Sequence, residues 1–177
     1  VPPRRRHDRE SLLAAAVEVA LQDGLAALTF AAVGQRAGVP DRTVVYYFPT
    51  KPDLVAAVMT TIAAQVVEAA GADPGPWPVA EAPARLGALL AGPQVGTVLA
   101  RWLELCLLGA DPASPYRALA AGLGDGFVGL VADRLADVPE TGRRAAAARV
   151  IAVVDGAMLL RMIGLDADAD AALGGGA

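Results

Sequence analysis

The stretch of this chain that most constrains its fold is residues 29–53, where polar caps and a glycine punctuate every few positions. Thr29 is a good N-cap for a helix over 30–37, because its side-chain oxygen can accept an otherwise unpaired N–H of the first turn. Gly38 then supplies a permissive backbone for a tight turn. A second short helix runs from about Asp41 to Phe48. On it Val44 and Phe48, four residues apart, share one face and pack inward, while Arg42, Thr43 and Tyr46 point away and Val45 and Tyr47 lie at the flanks. Thr50-Lys51-Pro52-Asp53 opens a further helix as a capping box with Asp in place of Glu. Two short helices joined by a glycine turn and closed by a capped longer one form the layout of a helix-turn-helix, whose second helix reads a DNA major groove.

Around this stretch the chain reads as all-α. It is 177 residues long, 55 % hydrophobic and only 5 % aromatic, with alanine and leucine dominant, a composition that favours helix over sheet. A first helix spans 8–22, with Leu13, Ala16, Val17, Ala20 and Leu21 on its apolar stripe and Glu10, Glu18 and Gln22 opposite. Gly24 ends it, and Leu25 and Leu28 pin the loop that follows. The helix from Thr50 buries Val55, Val58, Met59, Ile62 and Val66. Residues 71–78 are rich in Pro and Gly and read as a linker. Further helices are expected at about 79–91, 94–108, 114–136 and 142–164, with Asp111-Pro112 and Pro139 as breaks and Ser114-Pro115 as an N-cap followed by an N1 proline. The tail from Asp166 to Ala177 is acidic, then glycine-rich, and is expected to fray. The division is a helix-turn-helix domain over 1–53 and a helical domain over 54–177.

Charge is unevenly shared. Residues 1–53 hold seven basic and six acidic side chains, residues 54–177 eight basic and thirteen acidic, for a total of −4. The Arg4-Arg5-Arg6 run is the most cationic point. A single cysteine, Cys106, allows no intrachain disulfide and suits a reducing cytoplasm. No apolar run reaches membrane-spanning length without charge, the nearest being Val150–Leu165 with Asp155 and Arg161 inside it, and the arginine-rich start lacks the apolar core of a signal peptide. The only histidine, His7, lies in the arginine-rich arm, which leaves no Ser-His-Asp or Cys-His centre and no His-rich metal site. Cys106 sits on an apolar stripe, and Gly122, Gly124, Gly126 and Gly129 fall in a helical pattern rather than after a strand. Neither a catalytic centre nor a cofactor is expected.

Residues 9–55 resemble the DNA-binding region of the TetR family of bacterial transcriptional regulators. The positions that carry this are Leu13–Ala16, Gly24, Leu28-Thr29, Val33, Ala37-Gly38-Val39, Thr43, Tyr46-Tyr47-Phe48, Lys51 and Leu54, in the family's order and spacing. The resemblance covers the first third of the chain. The remainder is similar only in being a helical domain of suitable length. There are departures. Pro40 stands where the family has a Ser or Thr cap, Arg42 where a small residue is common, and Val45 where a tyrosine commonly meets a phosphate. Asp41 brings negative charge near DNA.

The expected DNA contacts follow. Arg42 suits a bidentate bond to guanine, and Thr43 a base or a phosphate. Tyr46 and Tyr47 suit phosphate or base contact, or the packing of the next helix. Thr29 and Lys51 stand at helix starts that grip phosphates, and Arg4, Arg5 and Arg6 form an arm for the backbone or minor groove, or a solvated tail. One short helix makes few base contacts, so a homodimer on a palindromic operator is expected. Ala145–Leu165 is apolar on nearly all sides, and Val150, Val153, Val154, Ala157, Met158, Leu160 and Arg161 are its candidates for dimerisation. The resemblance implies a four-helix bundle with residues 114–136, the alternative being a central helix of one protomer. It also implies a small-molecule effector, for which the apolar composition suggests an apolar molecule, with Leu99, Trp102, Cys106, Phe127 and Met158 as candidate lining and Glu104, Asp155 and Arg161 as candidate polar anchors. Each of these reads first as core or as part of an ion pair. The overall expectation is a cytoplasmic repressor released from its double-stranded operator by a ligand, against a helical binding protein whose DNA-reading head has degenerated.

Overall fold

The computed structural model describes residues 8–71, 75–92 and 95–174, and the arm carrying Arg4, Arg5, Arg6 and His7 lies outside them. Nine helices occur among the described residues: α1 (Arg9–Asp23), α2 (Phe30–Ala37), α3 (Asp41–Tyr47), α4 (Lys51–Ala70), α5 (Ala82–Leu89), α6 (Val95–Leu108), α7 (Arg117–Ala132), α8 (Glu140–Met162) and α9 (Asp166–Ala172). They form two compact units. The first takes the chain up to Ala63 together with Ala100–Ala120; the second takes Ala64–Leu99 and the chain from Ala121 onward.

In the first unit α1 starts at Asp8, whose carboxylate accepts the Ser11 N–H at 2.8 Å. That bond holds the Asp8 carboxyl below its ordinary value of 3.8. Gly24 ends the helix at φ +92°, donating its N–H to Ala20 O at 3.0 Å. The covered face of α1 is Leu12, Ala15, Ala16, Val17, Val19 and Ala20. Leu13 and Leu21, expected on that face, are only half-buried. Several apolar rows are available on this alanine-rich helix, and the packing of α2 against it settles which one turns inward. Leu25, Leu28, Val33, Val44, Phe48, Leu54, Val55 and Val58 complete a core in which each is at most 1 % exposed. On α4, Met59 and Ile62 are buried as expected, whereas Val66 is half-buried. By length and composition Lys51–Ala69 is apolar enough to cross a membrane; here its first half supplies this core.

Three expectations are corrected, two in the second unit and one, at the start of α7, in the first. The Pro/Gly-rich stretch 71–78 is an anchor as well as a connection: Trp77 is fully buried and pairs in a short parallel bridge with Leu135, its N–H donating to Arg134 O at 2.7 Å and its O accepting from Ala136 N at 3.0 Å. Arg134 lies over the indole ring at 5.5 Å. The tail folds into α9 on α8, with Ala169 and Leu173 buried; Leu173 lies so close to Gly87 that a Cβ there would meet it at 2.8 Å. Acidic residues in the first turn of α9, Asp166 and Asp168, suit its N-terminal dipole. Finally, α7 begins at Arg117 rather than at 114, because the Ser114 hydroxyl bonds back to Leu108 O at 2.5 Å and accepts from Tyr116 N at 3.2 Å, closing a separate turn.

Candidate nucleic-acid interface

The interface is built by local bonds. Thr29 Oγ1 accepts the Ala32 N–H at 3.1 Å, capping α2 as expected. At the other end Gly38 takes the left-handed conformation, φ +72°, and its N–H and that of Val39 bond to Gln35 O at 3.3 Å and Gly34 O at 2.9 Å. This double closure satisfies the last carbonyls of α2 and turns the chain sharply into α3.

Gly34 is a residue that sequence reasoning missed. A Cβ there would lie 2.7 Å from Val39 O and 3.3 Å from Asp41 N. Both are backbone atoms, so α3 reaches α2 more closely than any side-chain-bearing residue allows. The signal was a glycine inside a short helix, where it costs about 1 kcal/mol against alanine.

Pro40 precedes α3 and leaves it without a side-chain cap; Asp41 Oδ1 instead accepts the N–H of its neighbour Arg42 at 2.7 Å. Val44 and Phe48 are 0 % and 1 % exposed, which fixes the rotation of the helix. Arg42 is therefore exposed and Thr43 half-buried, while Tyr46 is 79 % exposed and meets Tyr47 edge-on with ring centroids 5.0 Å apart. Tyr47 is half-buried beside Leu13, Asp53 and Thr60 in a surface groove, so it supports α4 while Tyr46 is free to meet a ligand. Val45 is 39 % exposed. Arg9 stacks on Phe48 from outside at 5.2 Å, and Arg36 ties α2 to α1 through Glu18 at 3.1 Å and Gln22 at 2.9 Å.

The α4 start is the expected capping box: Thr50 N donates to Asp53 Oδ2 at 3.1 Å and Asp53 N to Thr50 Oγ1 at 3.2 Å. Lys51 Nζ donates to Ala26 O at 3.3 Å. An ammonium has three donors, so two remain for an anion. Thr29, Arg42, Thr43, Tyr46 and Lys51 thus sit on the helix starts and outer helix face of one compact head. Exposed donors and a charged guanidinium held on a rigid apolar footing can bond phosphates and base edges.

A family model described as bacterial regulatory proteins, tetR family, matches residues 12–58. The chain belongs to the TetR family. Its fold is that of a transcriptional regulator from Rhodococcus sp. Rha1 at a TM-score of 0.74, 20 % identity and 93 % coverage of both chains. It is 30 % identical to the multidrug binding protein EbrR complexed with proflavin, covering 94 % of this chain and 95 % of that one at a TM-score of 0.67. To EbrR complexed with ethidium the identity is 26 %, the coverage 94 % of each and the TM-score 0.70. No curated protein matches. This TetR-family chain is accordingly a DNA-binding transcriptional regulator with ligand-binding homologues.

The other candidates fall as follows. Leu99 and Met158 are 8 % and 6 % exposed; Trp102, Cys106 and Phe127 are half-buried. Trp102 and Cys106 belong to the first unit and the rest to the second. Glu104, expected as a polar anchor, is engaged by Leu25 N at 2.6 Å and by Arg101 at 2.7 Å. Arg161 pairs with Asp170 at 2.5 Å rather than with Asp155. Asp155 has no ion-pair partner among the described residues, and burial raises its carboxyl above the ordinary 3.8. Val150, Val154 and Ala157 are covered by their own chain, while Val153 is 38 % exposed and Leu160 half-buried. No group of three metal-ligating side chains occurs among the described residues.

Proposed function

We propose that this regulator binds a palindromic operator as a homodimer, represses from it and leaves it when a small molecule binds. The observation that carries the reading is α3: Arg42 and Tyr46 stand exposed on a short helix whose opposite face, Val44 and Phe48, is fully buried. Arg42 makes the base contact, Thr43 and Tyr46 assist, and Thr29 and Lys51 hold phosphates.

A second copy is supported by α7 and α8. A Cβ at Gly122, Gly126, Gly129 or Gly156 would meet nothing within 4 Å. The space a side chain would fill at these glycines is open among the described residues, and such residues permit close backbone approach by another helix. Leu159 and Met162 on α8 and Ile163 just past its end are 42 %, 48 % and 72 % exposed, an apolar patch of the kind that marks an interaction surface. We therefore read the dimer face through Val153 and these residues rather than through Val150, Val154 and Ala157, which their own chain covers.

EbrR is complexed with proflavin and with ethidium, both flat aromatic cations. We assign such a ligand to the second unit, where the half-buried carboxylate of Asp155 would meet the cation and Leu99, Phe127 and Met158 of the same unit would supply apolar lining. The competing reading, a binding protein with a degenerate head, draws on the uncapped start of α3 at Pro40.

Light scattering tests the dimer. The wild type should show twice the 17.9 kDa chain mass. Gly126→Leu should fold with the same helicity and run as the monomer. A monomeric wild type, or a Gly126→Leu dimer of unchanged affinity, contradicts the assigned face.

A further inference from the structure

Helix α6 holds the end of α1 with a two-residue fork. Arg101 Nη1 donates to Ala20 O at 2.8 Å, and Arg101 Nη2 pairs with Glu104 Oε1 at 2.7 Å. Glu104 Oε2 accepts the Leu25 N–H at 2.6 Å. Gly24 sits between the two at φ +92°, and a Cβ on it would lie 3.2 Å from Glu104 Oε1 and 3.5 Å from Arg101 Nη1. The side chains are 13 % and 34 % exposed.

Each half of the fork answers a definite need. Ala20 O, which already accepts the Gly24 N–H, lies at the negative end of the α1 dipole, and the guanidinium adds a second, charged donor there. The first N–H beyond the turn takes a charge-assisted bond to a carboxylate. Gly24 admits both, because it has no side chain to hold them off. The fork bridges about 80 residues of sequence in a protein with no fully buried charged side chain among the described residues.

A part-buried ion pair adds little net stability over an apolar pair of the same shape. What it adds is direction, since two hydrogen bonds run from α6 to the end of α1 and the Arg101–Glu104 pair holds both side chains in place to make them. The head is built outward from α1, with α2 packed on α1 and α3 on α2. On α6 the same two turns carry Trp102 and Cys106, which by helical spacing face away from the fork.

We propose that Arg101 and Glu104 are positioning residues that fix the reading head on α6, so that the place of α6 sets the place of α3. The inference rests on the reading of a dimer on a two-half operator. Two heads held rigidly tolerate one half-site separation; two heads released from α6 tolerate several.

The test uses full-length protein and duplexes bearing its selected operator with zero to three base pairs inserted between the half-sites. Wild-type affinity should fall about tenfold or more with the first insertion. Arg101→Met and Glu104→Gln should flatten that fall to about threefold or less while keeping the same base preference within each half-site. Glu104→Gln retains the shape and an acceptor for Leu25. Should Arg101→Met fail to fold, Arg101→Lys, which keeps the charge and loses the fork, takes its place. Variants that melt earlier but keep the wild-type spacing profile would show a merely structural pair and overturn the proposal. A wild type that selects no two-half site contradicts the operator reading itself, and the inference falls with it.

Discussion

The stretch from Thr29 to Asp53 and helix α8 are each about two dozen residues long, yet they are specified in opposite ways. The first is punctuated: Thr29 and Gly38 fix the two ends of α2, and the Thr50–Asp53 box the start of α4, through bonds spanning three to five residues. The second runs for 23 residues after Pro139, with no side-chain cap and a long alanine- and valine-rich middle. Local side-chain-to-backbone bonds make geometry independent of the rest of the chain. A long apolar helix takes its rotation from whatever covers it. A regulator needs both: a head whose donors stay in place and a body whose faces remain available to partners.

The comparison breaks most severely at Trp77, on which the second unit relies in place of caps. Trp77→Ala should cost about 3–5 kcal/mol in urea unfolding, because the fully buried indole and the stacked Arg134 are lost together. A loss below about 1 kcal/mol would mean that the bridge to Leu135 alone holds the segment.

The next effects fall in the head. Gly34→Ala should cost about 1–3 kcal/mol of stability by overpacking, since Val39 O must withdraw from its 2.7 Å approach; an unchanged melting temperature would show that α3 yields freely. Arg42→Ala should leave stability unaltered and weaken operator binding by about 1–3 kcal/mol, relaxing one base position. Equal affinity of variant and parent on all sites removes Arg42 from the base contacts.

Smaller still is Thr29→Ala, expected to cost about 1 kcal/mol in thermal unfolding through loss of the α2 cap. The smallest concerns Asp155 on α8. Its carboxyl is raised by burial, so the folded state keeps a proton that the unfolded chain has already released. Stability therefore falls as pH rises from about 3.8 through the raised value and stays lower above it. Asp155→Asn should remove that slope and melt slightly higher at neutral pH. An unchanged slope would place the titration elsewhere.

The same contrast explains what the sequence made legible. The three helices of the head, both capping motifs, the turn at Gly38 and the inward pair Val44–Phe48 follow from spacing and cap chemistry alone. The covered row of α1 did not, because Leu12 and Leu13 are equal candidates until α2 is in place. Trp77 as an anchor, α9 on α8 and the Arg101–Glu104 fork depend on partners tens of residues away, and no local signal marks them. Gly34 was visible as a glycine inside a helix, but its reason is the backbone of the next helix.

The central claim is that this head reads a two-half DNA site. Selection of bound duplexes from a random pool, at near-physiological salt where non-specific phosphate binding is weak, tests it most directly. Enrichment of a palindrome, with half-sites about one DNA turn apart, is the predicted result. A folded dimer that enriches no sequence would contradict it and assign the working surface of this chain to its helical body.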